Sequence, residues 1–396
     1  MKKELIIRTL SKLEILESHD YPRDSPMDNL EQVRTALDKL NLKHKTKYKN
    51  KETIHIMYKN RLLSKYTKAN YPNNKFLGQS ICNNKLTTEY YLNLNDVPTP
   101  KSKLFTESDY NSAYEFMKNI NEPFVIKALN LRQGVGVFTN VVQDSFDLYW
   151  NQSMEIQKKR KNKKPEVLIQ NQLDGLEVRI NVTEGKVESA ILRLQGFLIG
   201  DGQSTIEQLI YAKNEEKKLN PYLNRDMILF DEDLLHYIGK ADKKPSSILD
   251  ENEMLVLNDK PEIRYGMETY NVTSLISKEI IEIGLNAVIA IPGLHTAGVD
   301  IIIPELESNI GNVIEVNKNP AWALSLYAVR GPSGEPVKDI YQSHLLDNKI
   351  LNNEIISKET ISNEEFQILL NRFKFLFKKD QFNRNIISEY HNNERN

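Results

Sequence analysis

Three oxygen-bearing side chains near residue 300 are candidates for binding a metal ion. Strand alternation sends Asp300 to the face opposite Val299 and Ile301, and it sends Glu315 and Asn317 together away from their apolar neighbours. Hard divalent cations such as magnesium prefer carboxylate and amide oxygens together with substrate phosphates, so this set suits a magnesium–nucleotide site. Taken alone, the same pattern also fits polar residues on the solvated face of an amphipathic hairpin.

Two lysines and two glycines form a second group, which suits phosphate binding. Lys127 lies in an apolar run at residues 123–128, where a charge is unfavourable unless its ammonium group meets an anion. Gly134 and Gly136 follow in a short loop, where the absence of side chains lets backbone N–H groups approach phosphate oxygens. Lys85 begins a predicted helix, where the macrodipole disfavours a cation, so its side chain is expected to point elsewhere. The alternative is an ordinary turn with solvated lysines.

A third group places acid and base on one strand face. Glu177 and Arg179 project from the same side of their strand, and Arg193 lies on the strand that returns after the Glu184–Gly185 turn. Arg193 is positioned to stabilise negative charge that grows on a transferred phosphoryl group or a tetrahedral centre. The alternative is a cross-strand Glu–Arg pair worth less than ~1 kcal/mol.

Hydrophobic periodicity predicts the elements that must position these residues. It predicts helices at 85–95, 108–120, 144–161, 205–218 and 274–289, and strands at 123–128, at 167–169, on both sides of Gly185, and around Asp300 and Glu315. The segment 215–244 is polar and irregular enough to be an insertion or a mobile lobe. Near the end of the chain, one apolar stripe on a helix is predicted from Leu369, Leu370, Phe373 and Phe377.

Bulk properties limit the classes of partner and compartment. The 396 residues suggest two or three lobes around a shared cleft. A formal net charge of −1 gives no global field that favours nucleic acid or anionic lipid. No apolar run is long enough to span a bilayer, and Cys82 as the single cysteine fits a reducing compartment. A cytoplasmic protein that binds neither nucleic acid nor membrane is expected.

Read in order, these pieces resemble the ATP-grasp superfamily, most closely the ATP-grasp module of bifunctional glutathione synthetases and of cyanophycin synthetases. The resemblance runs from about Ile81 to Gly334, and its strength lies in the order of many short motifs. The motifs are Asn84-Lys85 with Thr88, Val97-Pro98-Thr99-Pro100, Pro123 to Lys127 with Gly134 and Gly136, Leu168-Ile169-Gln170, Gly175 with Glu177 and Arg179, Arg193 with Gly200-Asp201-Gly202, Asp300, and Ile314 to Pro320.

The resemblance implies an α/β (α+β) chain with the ATP-grasp fold, in which two α+β lobes grip ATP after a small N-terminal lobe. The expected divisions are an N-terminal lobe at 1–80, a grasp domain at 81–334 and a helical C-terminal extension at 335–396. Within the grasp domain, a nucleotide-binding part is expected at about 97–175 and a metal-binding core at about 176–334. The tail beyond Gly334 is a candidate for packing in a homodimer.

The resemblance also implies roles for single residues. Lys85, Lys127, Gly134 and Gly136 would hold the nucleotide phosphates, Gln170 the adenine and Glu177 the ribose. Asp300, Glu315 and Asn317 would bind magnesium, with two ions expected and manganese as a substitute, and Arg193, Arg179 and Lys127 would serve catalysis. Gln170 stands where an acid is usual, and no histidine follows Trp322 as it does in the closest subgroup. These departures concern the adenine contacts and an acceptor pocket expected between Arg179, Arg193 and Trp322.

The activity implied is that of an ADP-forming carboxylate–amine ligase. A carboxylate from an amino acid or small peptide would be activated by Mg-ATP as an acyl phosphate and then joined to an amine. One alternative is an ATP-binding sensor or assembly subunit without catalysis. A second alternative is a phosphotransferase that acts on a hydroxyl group.

Overall fold

The part of the chain that the structure describes folds into four antiparallel β-sheets and the helices that cover them. A computed structural model describes residues 3–19, 21, 28–48, 52–67, 71–100, 102–119, 123–129, 135–160, 164–259, 261–334, 336–355 and 357–393. Within these residues the helices are α1 Lys3–Leu13, α2 Asn29–Lys39, α3 Phe76–Cys82, α4 Lys85–Asn93, α5 Tyr110–Lys118, α6 Phe146–Lys159, α7 Ile206–Leu219, α8 Glu232–Lys240, α9 Lys278–Ala290, α10 Ala323–Leu326, α11 Pro336–Leu351 and α12 Asn363–Asn393.

The strands are short and mostly follow one another along the chain. They are β1 His44–Tyr48, β2 Glu52–Tyr58, β3 Arg61–Thr67, β4 Ser102–Thr106, β5 Phe124–Ala128, β6 Val137–Val141, β7 Glu166–Asn171, β8 Leu176–Thr183, β9 Lys186–Leu194, β10 Phe197–Ile199, β11 Met254–Val256, β12 Glu268–Asn271, β13 Thr296–Ile303 and β14 Asn312–Asn317. The helices and strands predicted from periodicity between residues 85 and 317 are present, with ends shifted by a few residues.

The largest sheet has five strands in the order β12-β9-β8-β13-β14. One face carries the apolar positions of β8, of which Val178 and Ile180 are fully buried, and α9 packs against it. Gly284 on α9 permits close contact, because a Cβ atom there would lie 2.6 Å from the Cβ of Ile180. The opposite face carries the polar positions, so the alternation of residue types along β8 separates the core from the candidate site.

The second sheet has four strands in the order β4-β7-β5-β6. Its core is rich in aromatic residues from α5 and α6, and Phe124, Phe146 and Trp150 are buried there. Lys127 lies in β5, and the other residues of this strand are buried. This sheet supplies the strand that carries the lysine expected to bind phosphate.

The N-terminal and C-terminal segments share one hydrophobic core. The three-stranded sheet β1-β2-β3 and α2 pack with α11 around the fully buried Trp322. The indole Nε1 of Trp322 donates a 2.6 Å hydrogen bond to the hydroxyl of Tyr71. The expectation that Trp322 lines an acceptor pocket is therefore wrong, because this side chain is enclosed on the N-terminal side of the molecule.

The segment 215–244 is more regular than its sequence suggested. It contains the end of α7 and the amphipathic helix α8, whose Leu234 and Ile238 pack with α7 and the two-stranded β10-β11 sheet in a separate core. The carboxylate of Asp231 accepts a hydrogen bond from the backbone N–H of Leu234 and so caps α8. Polar composition misled the prediction because α8 buries only one narrow face.

The face that α12 buries also differs from the predicted stripe. Phe373 and Phe377 are exposed, whereas Phe375 and Lys379 are buried against the large sheet and α9. The ammonium group of Lys379 donates to four carbonyl oxygens near the end of α9, at distances from 2.6 to 3.2 Å. This lysine caps a neighbouring helix, which periodicity of apolar residues does not reveal. Within the described residues, no helix combines the length and hydropathy needed to cross a membrane.

Candidate active site

The polar face of the large sheet brings acid and base side chains into one row. Asp300 on β13 pairs with Arg179 on β8 and with Glu315 on β14, so the three residues are direct cross-strand neighbours. Asp300 is almost fully buried, with 2% of its surface exposed. Glu315 is exposed and has no hydrogen-bond or ionic partner among the described residues. The two carboxylates expected to bind metal thus occupy very different environments.

The carboxylate of Asp300 is the centre of a hydrogen-bond network. Arg179 binds it in bidentate fashion at 2.6 and 2.8 Å, and Arg193 lies 3.1 Å from its Oδ2. The amide nitrogen of Asn317 donates to the same Oδ2 at 3.1 Å. Burial alone would raise the pKa of Asp300, but the two guanidinium groups outweigh it and hold the pKa below its ordinary value.

Glu177 and Arg193 form the second pair on this face. They are cross-strand neighbours on β8 and β9, and a guanidinium nitrogen of Arg193 donates to the carboxylate of Glu177. Burial raises the pKa of Glu177 despite that contact. The Nε atom of Arg193 is buried without a partner among the described residues, as is the hydroxyl of Thr269, which pairs with Arg193 from β12. Buried polar groups without a partner are uncommon, so these two groups are available to hydrogen-bond with a bound ligand.

The two lysines approach this row from the other side of the cleft. Burial and the nearby Lys85 lower the pKa of Lys127 to about 7, while Glu315, Glu89 and Glu177 act on it in the opposite direction. Neither Lys127 nor Lys85 has a hydrogen-bond or ionic partner among the described residues. A half-buried ammonium group without such a partner is unfavourable, so the entry of an anion would stabilise the cleft.

The predicted glycine loop is only partly described. Gly134 lies outside the described residues, whereas Gly136 is in the left-handed region with a φ of 72°. The carbonyl of Gly136 accepts a 2.8 Å hydrogen bond from the backbone N–H of Ala128, directly after Lys127. This bond joins the end of the loop to the lysine strand, so the loop begins and ends beside that lysine.

Gln170 lies on β7 and is buried, with 4% of its surface exposed. A narrow cavity beside it is lined from both sides of the cleft by Lys85 and Glu89 of α4, Leu168 of β7 and Glu315 of β14. The cavity therefore connects the position expected to contact adenine with those expected to contact phosphate and metal.

Magnesium fits the donor atoms of this site when nucleotide phosphates supply the remaining ligands. Among the described residues, no cluster of three His, Cys, Asp or Glu side chains is close enough to hold a metal ion by itself. Among the described residues the carboxylate of Glu315 has no hydrogen-bond or ionic partner, and Asn317 uses only its amide nitrogen, so oxygens from both remain available. Magnesium commonly binds proteins through one or two carboxylates plus substrate phosphates, which matches this arrangement. Asp300 already accepts three hydrogen bonds and forms an ion pair with Arg193, so it would join a metal only if one of these partners turned away.

Glu89 is a site residue that the sequence motifs missed. It lies one helical turn after Lys85 on α4, its carboxylate accepts a hydrogen bond from Ser102, and burial raises its pKa. Glu89 follows Lys85 at the spacing i, i+4, which places both side chains on one helix face. This spacing is the sequence signal that could have identified Glu89. Thr269 was also missed, and no pattern in its surroundings pointed to it.

This chain has the ATP-grasp fold that the sequence motifs predicted. The solved structure of a bifunctional glutathione synthetase from Pasteurella multocida matches 83% of this chain and 44% of its own, with a TM-score of 0.59 and 19% sequence identity. At that identity the likeness establishes the fold.

Curated relatives support the same resemblance at the sequence level. The glutathione biosynthesis bifunctional protein GshAB of Streptococcus mutans is 27% identical over 269 residues, which cover 63% of this chain and 33% of the relative. The cyanophycin synthetase of Crocosphaera subtropica is 26% identical over 234 residues, which cover 55% of this chain and 26% of the relative. The chain thus spans about a third or less of these relatives. No protein-family model matches the chain.

Proposed function

We propose that this chain is an ADP-forming, ATP-dependent carboxylate–amine ligase for amino acids or small peptides. The observation that carries the proposal is the half-buried Lys127, whose ammonium group has no hydrogen-bond or ionic partner among the described residues and lies with Lys85 across a cleft from a row of acids. Unpaired cations opposite oxygen donors suit a magnesium-bound triphosphate, in which negative charge and metal arrive together. The names of the relatives support ligation as the reaction.

The reaction needs no protein nucleophile. A carboxylate oxygen of the first substrate attacks the γ-phosphorus of ATP, the bond to the bridging oxygen breaks, and ADP leaves with that electron pair. The amine of the second substrate then attacks the acyl carbon, inorganic phosphate leaves, and the amine loses a proton to give the amide. Bound magnesium would neutralise phosphate charge during the first step.

Protein residues then have separate tasks in the first half of the reaction. Lys85 and Lys127, with the loop that ends at Gly136, bind the phosphates, and Gln170 lies where adenine is expected. Glu177 takes the ribose hydroxyls once Arg193 turns toward the phosphoryl group. This division is supported by two observations: the lysines have no hydrogen-bond or ionic partner among the described residues, and Gln170 lines the connecting cavity.

The two acids and the remaining arginine act around the metal. Glu315 and Asn317 would offer it oxygens that have no partner among the described residues, and Asp300 would join them if a hydrogen-bond donor were released. The guanidinium group of Arg179 is bound to Asp300 by two hydrogen bonds. In this proposal Arg179 therefore orients that carboxylate and does not contact substrate.

The test is nucleotide turnover with pools of amino acids and short peptides. Purified protein with Mg-ATP should release ADP and phosphate only when a carboxylate and an amine substrate are both present. Lys127→Gln should lower this rate at least ~100-fold, because positioned charge of this kind contributes roughly 10²–10³ in rate. Lys103→Gln, at an exposed position on the adjacent part of the same sheet, is the matched control and should leave the rate unchanged. AMP release, or no turnover with any pool, would contradict the proposal.

A second candidate is an ATP-binding protein that does not ligate. The specific observation in its favour is that Asp300 already accepts three hydrogen bonds from Arg179 and Asn317 and forms an ion pair with Arg193. In that case ATP should bind tightly without substrate-dependent turnover, and Glu315→Ala should change nucleotide affinity but no rate.

We propose the same divisions of the chain as the motifs predicted, at residues 80 and 334. In support, β1 to β3 pack with α2, α11 and Trp322 in a core that is separate from the core of the large sheet. A cytoplasmic location and a homodimer formed through the tail stay predictions.

A further inference from the structure

A second cleft, of about 430 Å³, lies on the face of the large sheet opposite the candidate active site. Its floor includes Glu268 and Tyr270 of β12, which pair with apolar residues of β9. Thr269 between them pairs with Arg193, so strand alternation directs it to the other face. The cleft is thus separated from the active site by the thickness of the sheet, and its walls come from α1, β10 and α7.

The charged side chains on the floor of this cleft neutralise one another. The carboxylate of Glu268 accepts hydrogen bonds from the hydroxyl of Tyr270 and from the ammonium group of Lys213. That ammonium group also lies 4.7 Å from the ring centroid of Phe197. Because each charge has a partner, the floor is satisfied without a ligand and serves as a fixed polar surface.

The rim differs, because its charges have no ionic partners among the described residues. The exposed carboxylates of Glu14 and Glu216 make no salt bridge or side-chain hydrogen bond in that part of the chain. Arg330 donates through Nη1 to the backbone carbonyls of Leu16 and Glu14, at 3.2 and 3.4 Å. Its other guanidinium nitrogens have no partner among the described residues. The rim therefore offers both an anionic and a cationic contact.

The walls between these charges are apolar. Leu10 and Leu13 of α1 face the cleft together with Phe197 and Leu209 from the other side. A ligand that satisfies the whole surface needs an ammonium group, a carboxylate and an apolar body. The volume lies within the range of roughly 300–1,000 Å³ that is usual for small-molecule sites.

We propose that this cleft is a second small-molecule site that binds a free amino acid or short peptide with an apolar side chain. The ammonium group of the ligand pairs with Glu14 and Glu216, its carboxylate pairs with Arg330, and its side chain packs on Leu13 and Phe197. Binding there requires neither ATP nor turnover, so the inference stands or falls independently of the ligase activity.

Calorimetric titration of the full chain with L-leucine and with L-leucylglycine, without nucleotide, tests the proposal. Glu216→Gln and Arg330→Gln should each weaken binding about tenfold, because each removes one charge-assisted hydrogen bond. Glu207→Gln, at an exposed position on the same helix α7 but outside the cleft, is the matched control and should bind like the parent protein. Circular dichroism of each variant confirms that it is folded.

Two leucine analogues provide a second measurement that does not depend on variants. 3-Methylbutylamine lacks the carboxylate and 4-methylpentanoate lacks the ammonium group, so each should bind at least about tenfold more weakly than leucine. The proposal is overturned if neither probe binds at millimolar concentration. It is also overturned if either charge variant binds leucine with the affinity of the parent protein, which is the result expected if leucine binds in the active-site cleft instead. Analogues that bind as tightly as leucine would overturn it as well.

Discussion

Replacing Asp300 with asparagine removes the carboxylate that holds two arginines together inside the site. Arg179 donates two hydrogen bonds to this carboxylate, Arg193 forms an ion pair with it, and only 2% of the surface of Asp300 is exposed. Breaking a buried ion pair by removing one partner typically costs about 3–5 kcal/mol, because the other charge is left buried. Glu177 still pairs with Arg193 in the variant, so we expect a loss near the lower end, about 3 kcal/mol in the free energy of unfolding.

The assay is urea unfolding followed by tryptophan fluorescence, with hydrogen exchange of β8 and β13 measured in parallel. Glu315→Gln is the matched control, because Glu315 was assigned the same metal-binding task but is exposed and has no partner among the described residues. We expect Glu315→Gln to change the free energy of unfolding by less than about 0.5 kcal/mol. Both variants should weaken magnesium-dependent nucleotide binding, which separates the stability effect from the shared functional one.

A double variant tests the reason for the loss. Arg179→Met in the Asp300→Asn background removes the unpaired guanidinium group and should recover part of the lost stability. The reasoning is refuted if Asp300→Asn is as stable as Glu315→Gln, or if the added Arg179→Met change destabilises the protein by its full single-variant amount.

Three further predictions concern other parts of the molecule. Bound phosphates should raise the pKa of Lys127 from about 7, so nucleotide binding should be accompanied by uptake of a proton. The affinity for nucleotide should therefore fall by up to about tenfold per pH unit above pH 7. Calorimetry in a series of buffers should show this dependence, and Lys127→Gln should lack it. Lys379→Met should lower the free energy of unfolding by about 1–3 kcal/mol, because buried carbonyl groups at the end of α9 lose their donor; the exposed Lys378→Met is the control, and equal midpoints in urea would contradict the capping role. Gly175→Ala should lower the thermal midpoint, because the new Cβ atom would lie 2.1 Å from the carbonyl oxygen of Ile303 at a φ of +151°; an unchanged midpoint would show that this contact relaxes freely.

Much of the candidate site was readable from local pattern. Alternation in a strand has a period of two, so the sequence placed Glu177 with Arg179 and Glu315 with Asn317 on common faces without knowledge of the fold. The order of the ATP-grasp motifs then indicated the fold, which the structural comparison confirms.

Side-chain partners, in contrast, depended on residues distant in the sequence. Arg179 and Asp300 are 121 positions apart, and their bidentate contact exists only because β8 and β13 are neighbours in this sheet. The environment of Trp322 also depends on a distant residue. Its motif predicted a place in the acceptor pocket, but its side chain is buried against Tyr71, 251 positions away in the sequence. Neither pairing has a local signal.

The sequence by itself therefore determined which faces are polar, where most helices and strands lie, and which residues are suited to phosphate and magnesium. Tertiary structure decided which of those residues are free to act. Asp300 and Glu315 are equivalent in sequence pattern, yet one is buried between two arginines and the other is open to the cleft. The physical reason is that residue type and spacing set the direction of a side chain locally, whereas burial and charge pairing depend on what the rest of the chain packs beside it.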